Sequence, residues 1–204
     1  MSDYSSKFLA VSRQIIDEIS CEEIEKAVEL LENTRKSGGR LFLCGSGGGA
    51  GHASHAACDF RKLCGLESYC VSDNVSELTA RVNDEGWDVA YSNWLRASRL
   101  GSRDCVFFFS VGGGSDNPPV STNLVSAANL ASEVGASIVA VVGRDGGYLR
   151  RVASASVLIP QIDSDSVTPQ TEGFQAVLWH LFVSHPRLAI SKARWEDLSS
   201  AVNA

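Results

Sequence analysis

No run of apolar residues in this 204-residue chain is long enough to span a bilayer. The most apolar stretch, Val106 to Phe109, falls far short of the roughly 20 residues that a spanning helix needs. The first seven residues hold no basic cluster leading into an apolar segment, so no secretory signal is expected. The six cysteines show no Cys-x-x-Cys spacing, which removes the commonest zinc and redox motifs and predicts buried thiols in a reducing, cytoplasmic compartment. An excess of positive charge is also missing. The net charge is -6, which argues against a general attraction to nucleic acid or anionic membrane, so an anionic ligand has to be held by local groups. Neither glycine-rich segment continues into the Gly-Lys-Ser/Thr of a nucleotide-binding P-loop. Low-complexity stretches and linkers are absent too, and the length suits one domain with one substantial core, here taken as residues 1–204.

What is present is an alternation. Short β-branched or aromatic runs at Leu41–Cys44, Ser68–Val71, Cys105–Phe109, Ser137–Val142 and Val157–Ile159 read as strands. Helical spacing marks segments near 50–63, 74–82, 87–98 and 121–134 between them. Continuous apolar strands alternating with helices predict a parallel five-stranded sheet covered on both faces, a three-layer α/β/α sandwich. An N-terminal helical pair precedes it, one helix over roughly Lys7–Ile19 and one opened by Ser20 and Glu23 as a capping box and stopped at Gly38-Gly39. Residues 1–39 are expected to serve in oligomer packing. A last helix is predicted from Thr168-Pro169 to the residues before Pro186, with a short final helix around Ser191–Ala201.

Chemistry concentrates where the first strand meets Gly45 to Gly51, a turn opening a helix that carries His55 and Asp59 four residues apart, hence on one face. Such a turn brings backbone amides and a helix N-terminus to an anion, usually a phosphate. Val106 to Gly114 repeats the pattern of a strand running into three glycines. Two such loops at the carboxyl ends of parallel strands face one crevice. Ser46, Ser110 and Ser115 beside the glycines suit a sugar phosphate held by hydroxyls and amides without a strong cation. The long second loop, Val111 to Val120, reads as a binding loop. Glu172 and His180 share a face of the last helix, Glu172 being read as a first-turn carboxylate. Unless Glu172 and His180 act in different sites of an oligomer, with His55 and Asp59 they would make an N2O2 set suited to zinc or a similar divalent ion.

The first loop with its His-x-x-x-acid helix, the turn Gly143 to Gly147 and the Glu172…His180 helix together resemble the phosphoheptose isomerases, SIS-domain proteins with a flavodoxin-like sandwich. The resemblance implies a homotetramer with active sites at subunit interfaces. It also implies one zinc per site, held at the positions of His55, Asp59, Glu172 and His180. This chain has Asp59 where the family has Glu, Glu172 where it has Gln, Ser46 and Gly49 in place of Asn and Ser, and a longer second loop. The expected activity is conversion of sedoheptulose 7-phosphate to D-glycero-D-manno-heptose 7-phosphate for surface-polysaccharide precursors. In that reading Asp59 is the base, with Glu172 second, and His180 the acid/base partner. Ser46, Gly47, Gly48, Ser110, Gly112 and either Ser115 or Ser121 hold the phosphate, and Asp84 lies near the sugar. Two rivals stay open: isomerisation of another phosphosugar, or a non-catalytic SIS protein acting as a sugar-phosphate sensor or a replication-initiator-binding adaptor.

Overall fold

The computed structural model describes residues 3–195. A five-stranded, all-parallel sheet is ordered β2-β1-β3-β6-β7, from Leu41–Gly45 (β1), Ser68–Cys70 (β2), Cys105–Ser110 (β3), Ser137–Val142 (β6) and Ala155–Leu158 (β7). Register is continuous across the centre, with Leu41 opposite Cys105 and Cys105 opposite Ser137. Because successive side chains point to opposite faces, each central strand supplies two cores. Leu41, Leu43, Phe107, Phe109, Val139 and Val141 face one way, toward α2 (Cys21–Lys36), α3 (Gly48–Cys64) and α8 (Val167–Ser184). Phe42, Cys44, Val106, Phe108, Ile138 and Ala140 face the other, toward α5 (Trp87–Ala97) and α6 (Thr122–Glu133). This two-sided burial explains why the strands read as unbroken apolar runs. The expected α/β/α sandwich is the fold.

Several local expectations are corrected. Ser20 does cap α2, its Oγ accepting from the Glu23 amide at 3.2 Å. Glu23 does not complete the box: its carboxylate instead accepts from the Leu158 amide at 3.0 Å, tying α2 to the end of β7. A 3₁₀ turn at Ser164–Ser166 starts α8 at Val167, so Glu172 lies in the second turn. Pro169 is tolerated because first-turn amides have no intrahelical acceptor. Two elements appear that periodicity did not suggest. One is the six-residue α7 (Gly147–Val152), and the other is a small hairpin, β4 (Ser115–Asp116) with β5 (Pro119–Val120), inside the long second loop. Cys44, Cys64, Cys70 and Cys105 are buried as expected, whereas Cys21 and Cys58 are exposed. No described helix is long and apolar enough to cross a membrane. The remaining helices are α1 (Tyr4–Glu18) and α4 (Val75–Glu85). Most of the expected helix at 191–201 lies outside the described residues.

Candidate functional site

In the sheet order the chain reverses direction between β1 and β3, and open α/β sheets bind ligands beyond the carboxyl ends of such strands. A crevice of about 550 Å³ opens there. It is lined by Ser46 after β1, Ser110 at the end of β3 and Gly112 just beyond it, Ser121 at the start of α6, Arg144 after β6 and Thr168 on α8. Both glycine loops therefore do face one cavity. The second loop's glycines also serve packing. Gly113 has φ +71°, and a Cβ there would come within 1.8 Å of the Gly146 carbonyl oxygen, because this loop lies backbone to backbone on the turn after β6.

The two crevice serines at the ends of β1 and β3 are held by neighbours. Ser46 Oγ accepts from Nδ2 of Asn123, a fully buried residue of α6, at 3.0 Å. Ser110 Oγ accepts from the Gly113 amide at 3.0 Å, leaving its own proton free to donate. Tyr91, buried, donates to the Gly45 carbonyl at 2.8 Å and braces the end of β1. Burial pushes its phenol up to about 12. Of the two serines offered for the end of the second loop, Ser121 lines the crevice. Ser115 does not, because its hairpin turns it away and its Oγ accepts from the Asn117 amide at 3.2 Å. Gly47 and Gly48, the cap and first residue of α3, are not among the residues lining the crevice. Asp84 is exposed on α4, which packs against α5, and takes a hydrogen bond from Asn83 at 2.7 Å. Arg144 lines the crevice together with the serines, and no carboxylate does.

A second cluster lies along α3 and α8. The two helices run side by side in the same direction: Gly48 meets Glu172, His55 packs on Trp179, and the Cys64 thiol reaches the Val183 carbonyl. This pairing gathers His55, Asp59 and His180, whose candidate ligand atoms all lie within 4.8 Å of one another. His55 Nε2 stands 3.8 Å from Asp59 Oδ2. The buried Trp179 stacks on His180, with ring centroids 3.4 Å apart, and meets His55 at a 55° tilt with centroids 4.6 Å apart. His180 Nδ1 lies 2.7 Å from the Ala176 carbonyl oxygen. As a donor there it fixes the tautomer and leaves Nε2 with a free lone pair, the arrangement of a metal-ligating histidine. Tetrahedral ligand atoms with bonds of about 2.1 Å sit roughly 3.4 Å apart, so the three donors fit a divalent ion after small rotamer changes. Asp59 and His180 also border a cavity of about 690 Å³ that includes Ser184, Ser191 and Lys192.

The fourth expected ligand does not join them. The Glu172 carboxylate lies against Gly48, 2.6 Å from where a Cβ would stand. The cause is electrostatic. α3 starts at Gly47 with no side-chain cap and no acidic residue in its first turn, and its dipole attracts an anion from the neighbouring helix. His52 lies one turn into α3, near Glu172. Burial lowers its imidazole pKa, and the nearby Glu172 charge only partly offsets this. His52, Asn123 and Arg144 were not assigned from sequence. A buried Asn leaves no periodic signal, and a lone Arg in a turn reads as surface.

A family profile described as the SIS domain matches residues 3–143. The chain is 35% identical over 188 residues to the lincomycin biosynthesis protein LmbN of Streptomyces lincolnensis, covering 87% of this chain and 66% of that protein. It is 30% identical over 163 residues to the phosphoheptose isomerase of Helicobacter hepaticus, covering 78% of each. Its fold superposes on phosphoheptose isomerase GmhA from Neisseria gonorrhoeae with a TM-score of 0.76 at 24% identity, covering 88% of this chain and 95% of that one.

Proposed function

The chain belongs to the phosphoheptose isomerase family of SIS domain proteins, and from that membership we propose that it is a phosphosugar isomerase acting on sedoheptulose 7-phosphate. The observation that carries the reading is the meeting of Asp59, His55 and His180 on the paired helices α3 and α8, in a fold with a serine-lined crevice at the sheet's switch point.

The reaction is an aldose–ketose exchange through a cis-enediol. A carboxylate takes the proton from C1 of the ketose, giving the enediol, and returns it to C2 while a proton passes from the C1 hydroxyl to the C2 oxygen, leaving the aldehyde at C1. Asp59 is the proposed base. Its side chain is 18% exposed, open to substrate yet partly desolvated. Glu172, on the stretch of α8 between Thr168 in the crevice and His180 in the cluster, is the second candidate. His180 is the proposed relay for the oxygen-bound proton, its Nε2 freed by the contact of Nδ1 with Ala176. Serine hydroxyls at 46, 110 and 121 hold the phosphate and so fix the reacting carbons. His55, Asp59 and His180 would hold a divalent ion such as zinc, which supplies positive charge next to the enediolate oxygens.

Gly48 and Asp59 are eleven residues apart on α3, so their backbones stand about 16 Å apart along the axis. Joining crevice and cluster on one small sugar favours sites shared between subunits of a cytoplasmic homotetramer. Leu9 and Ile16 on α1, 65% and 64% exposed, support that assembly.

The test is incubation of purified protein with sedoheptulose 7-phosphate in deuterium oxide. The expected result is aldose product with deuterium at C2. No product and no exchange would remove the reading. Exchange and turnover only with a pentose or hexulose phosphate would retain the chemistry and replace the substrate. The β4–β5 hairpin favours keeping that second possibility in the assay, since Val120 and Ser121 shape the crevice wall.

A further inference from the structure

The crevice contains a charge that the hydroxyl-and-amide account of phosphate binding leaves unused. Arg144 follows β6 through Gly143, and its side chain lies over Gly112: a Cβ at that glycine would stand 3.8 Å from Arg144 Cδ and 3.9 Å from Nη1. It is the one cation among the crevice's lining residues, and no Asp or Glu lines that cavity. It forms no ion pair among the described residues, whereas Arg40, Arg81, Arg96, Arg150 and Arg187 each have an acidic partner. Its backbone is held at φ +52°, a conformation uncommon outside glycine, asparagine and aspartate. Ser121, across the same cavity, has φ +51°. Strain of this kind persists where the surrounding structure over-determines it, and it concentrates at ligand sites. Here the surroundings do so: a Cβ on Gly143 would stand 2.4 Å from Thr171 Oγ1, and the Gly143 amide is bonded to the Val111 carbonyl at 3.0 Å.

We propose that Arg144 is the charge-reading residue of the crevice, pairing through its planar fork with the phosphate oxygens and making the site select phosphorylated over neutral sugars. The fork's geometry matches a phosphate bidentately, and an unpaired guanidinium lying across a serine-lined cavity is preorganised for a dianion. In a chain of net charge -6, this local cation overcomes the general repulsion of an anionic substrate. The inference rests on the crevice being the phosphate end of the site. It does not rest on the sugar or on the proton-transfer residues.

The test separates anion binding from turnover. Inorganic phosphate is titrated into the wild-type chain and into Arg144→Asn by calorimetry in chloride buffer. Asparagine tolerates the left-handed backbone, so the turn keeps its shape. The expected loss of phosphate affinity is about tenfold or more, the fold-change of one lost charge-assisted contact. Arg144→Lys should recover part of it. With a sugar phosphate that the enzyme turns over, Arg144→Asn should raise KM about tenfold and change kcat little. A merely structural role would lower the melting temperature and move both constants. Arg144→Gln, which keeps length and removes charge, carries the same comparison if the Asn variant fails to fold. Phosphate binding equal in wild type and folded Arg144→Asn or Arg144→Gln overturns the proposal, as does a wild-type chain that binds no phosphate. If no sugar is turned over but phosphate binding still depends on Arg144, this proposal stands and the isomerase reading falls.

Discussion

At the N-terminal ends of β1 and β3, one carboxylate is saturated. Asp104 accepts from the Arg40 amide at 2.9 Å, from Arg40 Nε and Nη2 at 3.2 and 2.8 Å, and from the Gly101 amide at 2.9 Å. Arg40 gives two further bonds, to the carbonyls of Ser98 and Arg99. At the C-terminal ends of the same strands, Ser110 keeps a proton to donate and Arg144 has no acidic partner among the described residues. One end of the sheet has matched its polar groups internally; the other holds its donors in place with their capacity unspent. Groups bonded within the fold contribute stability, and groups fixed but unbonded are ready for a ligand. The difference assigns opposite consequences to mutation at the two ends.

The sharpest test of that contrast lies in the α3–α8 cluster. Asp59→Asn and His180→Ala should each lower kcat about 100-fold or more while leaving the melting temperature near wild type. Initial rates alongside a thermal melt check both halves. Near-normal turnover in either variant removes that residue from the mechanism. The opposite pattern is expected at the buttress. Asp104 is 6% exposed in its side chain, and Asp104→Asn leaves the Arg40 charge without its partner. A loss of about 3 kcal/mol in urea unfolding is expected, with kcat/KM within about twofold of wild type at temperatures where the variant is folded. A large kinetic defect there would erase the distinction between the two ends. Between them, Gly48→Ala should cost less than about 1 kcal/mol, because its Cβ would fall on the end of the flexible Glu172 side chain, which can swing away from the start of α3. A larger loss in the melt would show that carboxylate to be fixed in place.

The smallest effect is in pH dependence. Burial on its own would raise the Asp104 carboxyl, but hydrogen bonds from the Arg40 guanidinium and from the amides of Arg40 and Gly101, with the Arg40 charge, hold it below its ordinary value. The folded state therefore binds this proton less tightly than the unfolded chain. The stabilisation is whole above the ordinary carboxylate pKa of about 3.9 and is lost as pH falls through the lower folded value. Asp104→Asn should flatten that acid-side decline in a pH series of urea melts. An unchanged slope would mean that other carboxylates dominate it.

The alternation of strands and helices was readable because each strand is buried on both faces, and a periodic signal survives wherever burial is periodic. His55 and Asp59 were readable as a pair for a related reason: four residues on a helix is a geometric statement. Glu172 was harder. Its spacing put it on the face of His180, correctly, but its carboxylate is drawn to the uncapped start of α3, and which helix end lies nearby is a tertiary fact. Arg144 and Asn123 were not readable for the same reason, since each acts through contacts far along the chain. The second loop misled in a different way. It reads as one long binding loop, yet its Ser115 end folds on itself as a hairpin and only its Ser121 end faces the crevice.

The contact between Gly48 and Glu172 also constrains history. Any side chain at position 48 must displace the carboxylate end of Glu172 from the start of α3, so the two positions are coupled. A lineage that first replaces Glu172 with a smaller residue gains freedom to alter the glycine loop. One that begins at Gly48 must first swing the Glu172 carboxylate out of its place. The start of α3 is thus coupled to a residue more than a hundred positions away, and variants that place a side chain at 48 are expected to reposition or replace the one at 172.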